Sequence, residues 1–116
     1  MMKKDNNFYA LLLAGGSGMR FWPASRESLP KQFIDLTGTG ETLIRETFNR
    51  INKIIKTKNI FISTNEKYRN LLLKQIPEVG ENNLICEPLK RNTAPSILYA
   101  SLKINQINQN AKLIVL

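Results

Sequence analysis

Short apolar runs recur along the chain and predict four β-strands. Residues 8–14 (FYALLLA) are continuously apolar and end at two glycines, a pattern typical of a strand buried on both faces. Residues 59–63 (NIFIS) and 83–87 (NLICE) are shorter runs rich in branched side chains, and residues 112–116 (KLIVL) form the last one. Each run is short enough to be one strand of a buried sheet.

Helical spacing fills the intervals between these runs. The first predicted helix lies in residues 41–55, and the second begins at a capping box formed by Ser63 and Glu66 and ends at Pro77. The third begins at Asn92 or Thr93. The apolar positions that define the three faces are Ile44, Phe48, Ile51 and Ile55; Tyr68, Leu72 and Ile76; and Ile97, Ala100, Ile104 and Ile107.

Strands that alternate with helices predict an α/β fold of the Rossmann-like kind. We expect a mainly parallel sheet with right-handed crossovers and helices on both faces. Ligands of such sheets bind beyond the carboxyl ends of the strands. The last residue, Leu116, falls at the end of a predicted strand. We therefore expect residues 1–116 to be the N-terminal part of a larger domain.

The amino-acid composition limits the kinds of catalytic and metal site that the chain can form. The chain contains no histidine, which excludes a Ser-His-Asp or Cys-His nucleophile, a histidine metal ligand and a histidine base. Cys86 is the sole cysteine, so no internal disulfide forms, and its place in an apolar run favours the core. The first apolar run is too short for a secretory signal or a membrane span. We expect a cytoplasmic protein with no membrane partner.

The net charge of +8, from 17 basic and 9 acidic residues, leaves open an anionic partner. The basic residues between Arg45 and Lys74 are spread around helical faces, and no aromatic side chains interleave with them to stack bases. A solvated surface is the favoured interpretation, and we expect no nucleic-acid partner. A basic nucleic-acid-binding module stays open as an alternative function.

The glycine-rich segment after the first strand is the strongest chemical signal. Gly15, Gly16 and Gly18 fall within four positions, and glycines let backbone N–H groups approach phosphate oxygens closely. The P-loop pattern fails because Met19 and Arg20 stand where Lys and Ser/Thr are needed, and the dinucleotide pattern fails because its third glycine falls on Phe21. A tight turn with positive φ is the alternative, but phosphate binding is favoured.

Two cations follow this segment. Arg20 offers a planar fork for phosphate oxygens, whereas Lys31 is a mobile point charge whose approach is stiffened by Pro30. Each could also be a plain surface cation. Arg26 lies between them, and we interpret it as solvated.

The end of the third predicted strand adds a second candidate region. Glu87 stands where a binding residue is expected, although it could instead pair with Lys90 or Arg91 at the rim. Asn92 and Thr93 are good helix caps, which is their favoured interpretation from local pattern.

Three motifs together resemble a known family. Residues 13–23 (LAGGSGMRFWP), 30–33 (PKQF) and 87–95 (EPLKRNTAP) resemble, in the same order, the signature of the sugar-phosphate nucleotidyltransferases, and within it the mannose-1-phosphate guanylyltransferase branch. The similarity extends over nearly the whole chain. Met19 stands where a small polar residue is common, and Phe21 replaces a frequent Leu; neither change affects a backbone phosphate site. The resemblance implies a GT-A-like variant of the predicted fold.

The resemblance also implies a reaction and a set of roles. GTP and mannose 1-phosphate would give GDP-mannose and pyrophosphate. Gly15, Gly16 and Gly18 would line the triphosphate, with the preceding Leu13 and Ala14 in the nucleotide-binding set. The implied catalytic residues are Arg20, which would neutralise the leaving pyrophosphate, and Lys31, which would contact the phosphates at the reacting centre. Glu87, Asn92, Thr93 and Ala94 would lie near the guanine base.

The family's Mg²⁺ is implied as cofactor, held by an aspartate in a loop after a strand that resembles residues 111–116. We expect that ligand, and the sugar-binding half, to lie beyond residue 116, and no metal ligand within residues 1–116. A nucleotide-binding fragment without catalysis is therefore an alternative function. An uncovered sheet edge would favour self-association, which leaves room for a homo-oligomer.

Overall fold

The computed structural model describes residues 6–14, 31–35, 38–87 and 93–116, and of residues 31, 87, 93 and 94 it describes the backbone alone. Four strands form one parallel sheet: β1 (Phe8–Ala14), β2 (Ile60–Asn65), β3 (Leu84–Glu87) and β4 (Lys112–Val115). Three α-helices connect or precede them: α1 (Leu43–Asn52), α2 (Arg69–Gln75) and α3 (Thr93–Ile107). The predicted α/β architecture with a parallel sheet is confirmed.

The order of the strands across the sheet is β3-β2-β1-β4. The chain thus adds β2 and β3 on one side of β1 and then returns to place β4 on the other side. Neighbouring connections diverge between β1 and β4, and such a switch point leaves a crevice at the carboxyl ends of the two strands, where α/β proteins bind ligands.

Helices cover both faces of the sheet, as predicted. On one face, Ile44 and Phe48 of α1 and Leu72 of α2 pack with Leu12 and Ile62. A smaller cluster covers the other face, and its buried members are Tyr9, Leu11, Phe61, Ile85, Ala100 and Ile104. Continuous apolar runs predicted β1 and β2 correctly because their side chains are buried on both faces.

The predicted capping box at Ser63 and Glu66 is wrong. Ser63 lies inside β2, only 4% exposed, and is paired in register with Leu13 of β1 and Ile85 of β3. The Asn65 side chain instead accepts a hydrogen bond from the Lys67 N–H and caps a short 3-10 turn, Glu66–Tyr68, before α2. The strand continues two residues beyond its predicted end, which removes Ser63 from the helix start.

Two helices also differ from prediction at their ends. Helix α1 stops at Asn52, although Ile55 is buried beyond it as expected. In α3, Ala100 and Ile104 are buried but Ile107 is 62% exposed, so its predicted place in the core is wrong. Ile107 is the last residue of α3 and borders an open cavity shared with Tyr9 and Phe61, where none of the described side chains covers it.

Two asparagines tie the strands together at the amino end of the sheet. The Asn59 amide, 3% exposed, donates to the carbonyl oxygens of Asn6 and Phe8 at the start of β1. The Asn83 amide donates to those of Lys58 and Ile60 at the start of β2. Each amide comes just before one strand and bonds to the start of its neighbour, so it fixes the strands relative to each other.

Helix α3 turns apolar side chains outward as well as inward. Leu98, Tyr99 and Leu102 are each more than half exposed on its outer side. Among the residues described, no helix combines the length and the apolar character that a bilayer crossing requires.

Candidate functional site

The carbonyl oxygen of Ala14, at the carboxyl end of β1, accepts two side-chain hydrogen bonds. The Thr64 hydroxyl donates one at 2.8 Å from the end of β2, and the Gln32 amide donates the other at 3.0 Å. A carbonyl oxygen has two lone pairs, and both are engaged here. The last peptide group of β1 before the glycine-rich segment is therefore fixed in orientation. We call these three residues the Ala14 clamp.

The clamp connects the PKQF motif to the carboxyl end of β1. Gln32 belongs to a 3-10 turn, Lys31–Phe33, so the backbone of Lys31 is held next to the carboxyl end of β1. Phe33 anchors the same turn, because its side chain is 2% exposed and packs on Tyr68 with ring centroids 5.6 Å apart. The end of β1 and the Lys31–Phe33 turn thus meet at the carboxyl end of the sheet.

A second layer of hydrogen bonds supports the turn. The Gln75 amide donates to the carbonyl oxygen of Phe33 at 3.3 Å, and its own oxygen accepts from the Thr42 hydroxyl at 2.9 Å. Thr42 is the N-cap of α1 and also accepts from the Arg45 N–H. The 31–33 turn is therefore bonded to both α1 and α2, the helices that cover this face of the sheet.

An ion pair nearby joins α1 to the 3-10 turn Pro77–Val79 that follows α2. Arg45 bonds both carboxylate oxygens of Glu78, at 2.7 and 2.6 Å, and also donates to the Gln75 carbonyl oxygen. The hydrogen bond from Arg45 lowers the pKa of Glu78 below its usual range. This pair stabilises the contact of α1 with the end of α2 and the turn that follows it.

The structure locates part of the predicted site. Ala14 is buried at the end of β1, and the Leu13 N–H donates to the Leu116 carbonyl oxygen across the switch point. Lys31 is placed by its backbone, as are Glu87 at the end of β3 and Thr93 and Ala94 at the start of α3. The predicted residues Gly15, Gly16, Gly18, Arg20 and Asn92, and Arg26, lie outside the described residues.

Glu87 stands apart from the clamp. Its register partner is Asn65 of β2, one position beyond the row that contains Ala14, Thr64 and Cys86. Strand β3 is two strands from β1, which corresponds to about 10 Å at the usual spacing. Only an extended ligand could contact both Glu87 and the Ala14 clamp. The role of Glu87 near the base stays a prediction.

The residues that sequence analysis missed are those that hold the site together. Gln32 is part of the PKQF motif, in which only Pro30 and Lys31 received a role. Thr64 is a polar residue in a buried strand, 1% exposed, and such a residue signals a hydrogen-bond partner that has to be found. The bonds that Gln75 makes to Thr42 and Phe33 gave no local signal, because these partners are 33 and 42 residues away in sequence.

A third cluster lies at the carboxyl ends of β2 and β3. Arg69 bonds both carboxylate oxygens of Glu66, at 2.8 and 3.1 Å, and this hydrogen bonding lowers the pKa of Glu66. Burial raises the pKa of the neighbouring Cys86 thiol. Cys86 packs against the core that α1 and α2 cover, as predicted, and it is a free cysteine.

The described residues do not fit a magnesium site. Within 6–14, 31–35, 38–87 and 93–116, no three acidic or cysteine side chains converge on one point. Glu66, at the carboxyl edge, already has both oxygens bonded to Arg69. Mg²⁺ needs free carboxylate oxygens or phosphate oxygens, and the described residues supply no such set of ligands.

Many basic side chains in the described ranges make intramolecular contacts. Arg45 and Arg69 form ion pairs. Lys67, Lys103 and Lys112 lie over aromatic rings, with nitrogen-to-centroid distances of 5.1, 5.8 and 5.4 Å. Some of the chain's basic side chains therefore already have partners within the chain. The predicted absence of a nucleic-acid partner stays a prediction.

A parallel sheet with a switch point beside a glycine-rich motif is the arrangement of a nucleotide-binding α/β enzyme. Residues 9–116 match the family described as nucleotidyl transferase, and the chain belongs to that family. The resemblance inferred from the three motifs is therefore confirmed at the level of the family.

The relatives belong to one branch. The chain is 39% identical over 108 residues to the mannose-1-phosphate guanylyltransferase of Salmonella montevideo, an alignment of 91% of this chain and 22% of that protein. It is 42% identical over 95 residues to mannose-1-phosphate guanylyltransferase 2 of Escherichia coli O157:H7, covering 80% and 19%. The chain thus spans about a fifth of the length of these curated relatives.

A solved structure agrees in fold. The crystal structure described as mannose-1-phosphate geranyltransferase from Thermus thermophilus superposes with a TM-score of 0.75 and 32% identity, over 95% of this chain and 31% of that one. The Rossmann-like fold is therefore shared with an enzyme several times longer than the matched segment.

Proposed function

We propose that residues 1–116 form the nucleotide-binding portion of an enzyme that converts GTP and mannose 1-phosphate to GDP-mannose and pyrophosphate. The observation that carries the site is the Ala14 clamp, which joins the PKQF turn to the end of β1 at the switch point of the sheet. The substrates come from similarity to relatives named mannose-1-phosphate guanylyltransferase.

The proposed reaction is a transfer of the guanylyl group. A phosphate oxygen of mannose 1-phosphate attacks the α-phosphorus of GTP in line with the leaving group. A new oxygen–phosphorus bond forms, the bond from the α-phosphorus to the bridging oxygen of the β-phosphate breaks, and pyrophosphate leaves with that electron pair. Such transfers depend on positioning and on neutralising charge rather than on a protein nucleophile, so a chain without histidine is suited to this chemistry.

Each candidate residue has a role in this scheme. Gly15, Gly16 and Gly18 bind the triphosphate through backbone N–H groups, and Arg20 neutralises the departing pyrophosphate. Lys31 contacts the phosphates at the reacting centre, from a turn that Gln32 and Phe33 hold at the end of β1.

The base is assigned to the edge of the sheet near β3 and the start of α3. Guanine presents N1–H and N2–H₂ donors, for which the acceptor-only carboxylate of Glu87 is a suitable partner. Asn92, Thr93 and Ala94 complete this region. The separation of about two strand spacings between β3 and β1 suits a ligand whose base and phosphates bind at different points along the carboxyl edge.

The remaining expectations belong to the whole enzyme. The resemblance to the family implies Mg²⁺ as cofactor, so Mg²⁺ is added to the assay, although the described residues form no site for it. A cytoplasmic location and a homo-oligomer are consistent with this proposal. A second candidate is nucleotide binding without turnover, the alternative already raised by the sequence.

The test is a chimera in which residues 1–116 replace the matching segment of the Salmonella montevideo relative. We expect pyrophosphate release from GTP plus mannose 1-phosphate with Mg²⁺, and none from the 116-residue chain alone, which should bind GTP only weakly. A folded chimera without turnover, together with a chain that binds GTP, would favour the second candidate. A chain that does not bind GTP at all would contradict both.

A further inference from the structure

The Ala14 clamp is a link between two segments that are separate in sequence. Gln32 is 18 residues from Ala14, and Thr64 is 50 residues away. We propose that Gln32 and Thr64 are positioning residues, which fix the position of the Lys31–Phe33 turn relative to the carboxyl end of β1. Both segments would then face the same phosphates. This inference rests on the proposed function for its consequence in binding, but the link itself is independent of it.

The two donors have different roles because of where they are attached. Thr64 is the last-but-one residue of β2 and is 1% exposed. Its hydroxyl therefore donates from a fixed position in the sheet and orients the Ala14 carbonyl group. Gln32 belongs to the 3-10 turn outside the sheet, so its hydrogen bond sets the distance from that turn to the strand.

The side-chain chemistry at position 32 is restrictive. The partner is a carbonyl oxygen, which accepts and does not donate, so an amide N–H₂ is suitable and a carboxylate is not. The last residue of the turn is held as well, because the Gln75 amide donates to the Phe33 carbonyl oxygen. Hydrogen bonds at the middle and at the last residue therefore hold the short turn and restrict the backbone of Lys31.

A purely structural role would have a different signature. If Thr64 only satisfied a buried carbonyl, its loss would lower stability without changing the turn. If the clamp sets the position of the turn, removing the hydroxyl at position 64 must change the backbone environment of residues 31–33, although these residues and Thr64 are not neighbours in sequence.

The direct test measures backbone chemical shifts of the 116-residue chain by NMR, without ligand. Thr64→Val removes the hydroxyl at nearly constant volume. We expect a shift of the Ala14 carbonyl carbon together with shifts of the Lys31 and Gln32 amides. Thr64→Ser, which keeps the hydroxyl, should restore all three. Thr47→Val is the matched control, since the Thr47 hydroxyl donates to the Leu43 carbonyl oxygen within α1 and should leave these signals unchanged.

The second measurement is GTP affinity, taken where all variants are folded. Gln32→Met and Thr64→Val should each weaken GTP binding about fivefold, the usual scale of one lost hydrogen bond. The double variant should lose less than the product of the two effects, because both act on one carbonyl. Thr64→Ser should bind like the parent chain.

The outcomes separate the two hypotheses. Unchanged Lys31 and Gln32 shifts in Thr64→Val, or equal effects from Thr47→Val, would overturn the clamp as a positioning device. Normal GTP affinity in both clamp variants would also overturn it. Failure of the parent chain to bind GTP, with the coupled shifts present, would leave the link between the segments intact and contradict the proposed function instead.

Discussion

The two ends of the sheet use the same chemistry for different purposes. At the amino end, the Asn59 and Asn83 amides donate to carbonyl oxygens at the starts of neighbouring strands. At the carboxyl end, the Gln32 amide donates to the Ala14 carbonyl oxygen but belongs to a turn outside the sheet. The asparagines join strands to one another, whereas Gln32 joins a charged motif to a strand end.

This difference shows why hydrogen bonding alone does not identify a site. The amino end even has an open cavity, bordered by Tyr9, Phe61 and Ile107. Each of its two asparagine amides is already bonded to two carbonyl oxygens, so these donors are committed to the fold. At the carboxyl end, the Gln32 amide and the Thr64 hydroxyl donate to the Ala14 carbonyl oxygen. The backbone of Lys31 lies next to these groups. Function is indicated by which segments the bonds bring together.

The largest expected effect is on catalysis at the carboxyl end. In the active chimera, Lys31→Ala should lower kcat about a hundredfold and raise KM much less, if its charge acts mainly on the transition state. Arg26→Ala is the matched control, and it should change both constants little. A large loss with Arg26→Ala and a small one with Lys31→Ala would reverse the two assignments.

At the amino end, the expected effect is on stability alone. Asn59→Ala leaves two carbonyl oxygens without their donor and should reduce the free energy of unfolding by about 2 kcal/mol. Urea unfolding measures this change. GTP affinity of the folded variant should equal that of the parent chain, and a loss of affinity would show that the two ends are not independent.

The glycine-rich segment should respond in the opposite way. Gly16→Val places a branched side chain where we expect phosphate oxygens, so GTP affinity should fall more than tenfold, about 1.4 kcal/mol. The urea midpoint should change little because the damage is local. Unaltered GTP affinity in the folded variant would eliminate the phosphate role of this segment.

A smaller effect concerns the choice of base. Glu87→Gln replaces an acceptor-only group with one that also donates, opposite the donor edge of guanine. The ratio of GTP to ATP affinity should fall severalfold, which competition binding would reveal. An unchanged ratio would make Glu87 a rim residue.

The smallest effect is on the pH dependence of stability. The pKa of Glu78 is lowered by Arg45 in the folded chain, so its contribution is present above the unfolded pKa and is lost as pH falls through the folded value. Because the Glu78 side chain is 39% exposed, we expect less than about 1 kcal/mol. Glu78→Gln should therefore be slightly less stable than the parent at neutral pH and equal to it in strong acid, below the folded pKa. A deficit that persisted in acid would point to packing rather than charge.

The sequence predicted those parts of the fold that depend on local pattern. Buried parallel strands are apolar runs, and so β1 was found with the correct bounds and β2 with small errors at its ends. The order of the strands was not predicted, because it depends on which surfaces pack together. Ser63 was misassigned because the capping pattern ignored that the strand continues through it. Ile107 has the right helical spacing but lies at the end of α3, where the described part of the chain leaves it largely exposed.

The site was predicted by its motifs and not by its geometry. Glycine-rich and PKQF segments could be read from the chain, as could the place where ligands of such a sheet bind. The Ala14 clamp could not, since its bonds connect residues 18 and 50 positions apart. Supporting side chains such as Gln75 leave no periodic signal, and their roles follow only from the three-dimensional structure.

The most direct test of the central claim is a GTP titration of the 116-residue chain, followed residue by residue through backbone amide shifts. The carboxyl end should respond, at Leu13, Ala14 and the 31–33 turn, while Asn59 and Asn83 at the amino end remain unchanged. Shifts confined to the amino end, or no shifts at millimolar GTP, would contradict the assignment of the nucleotide site to the carboxyl end of β1.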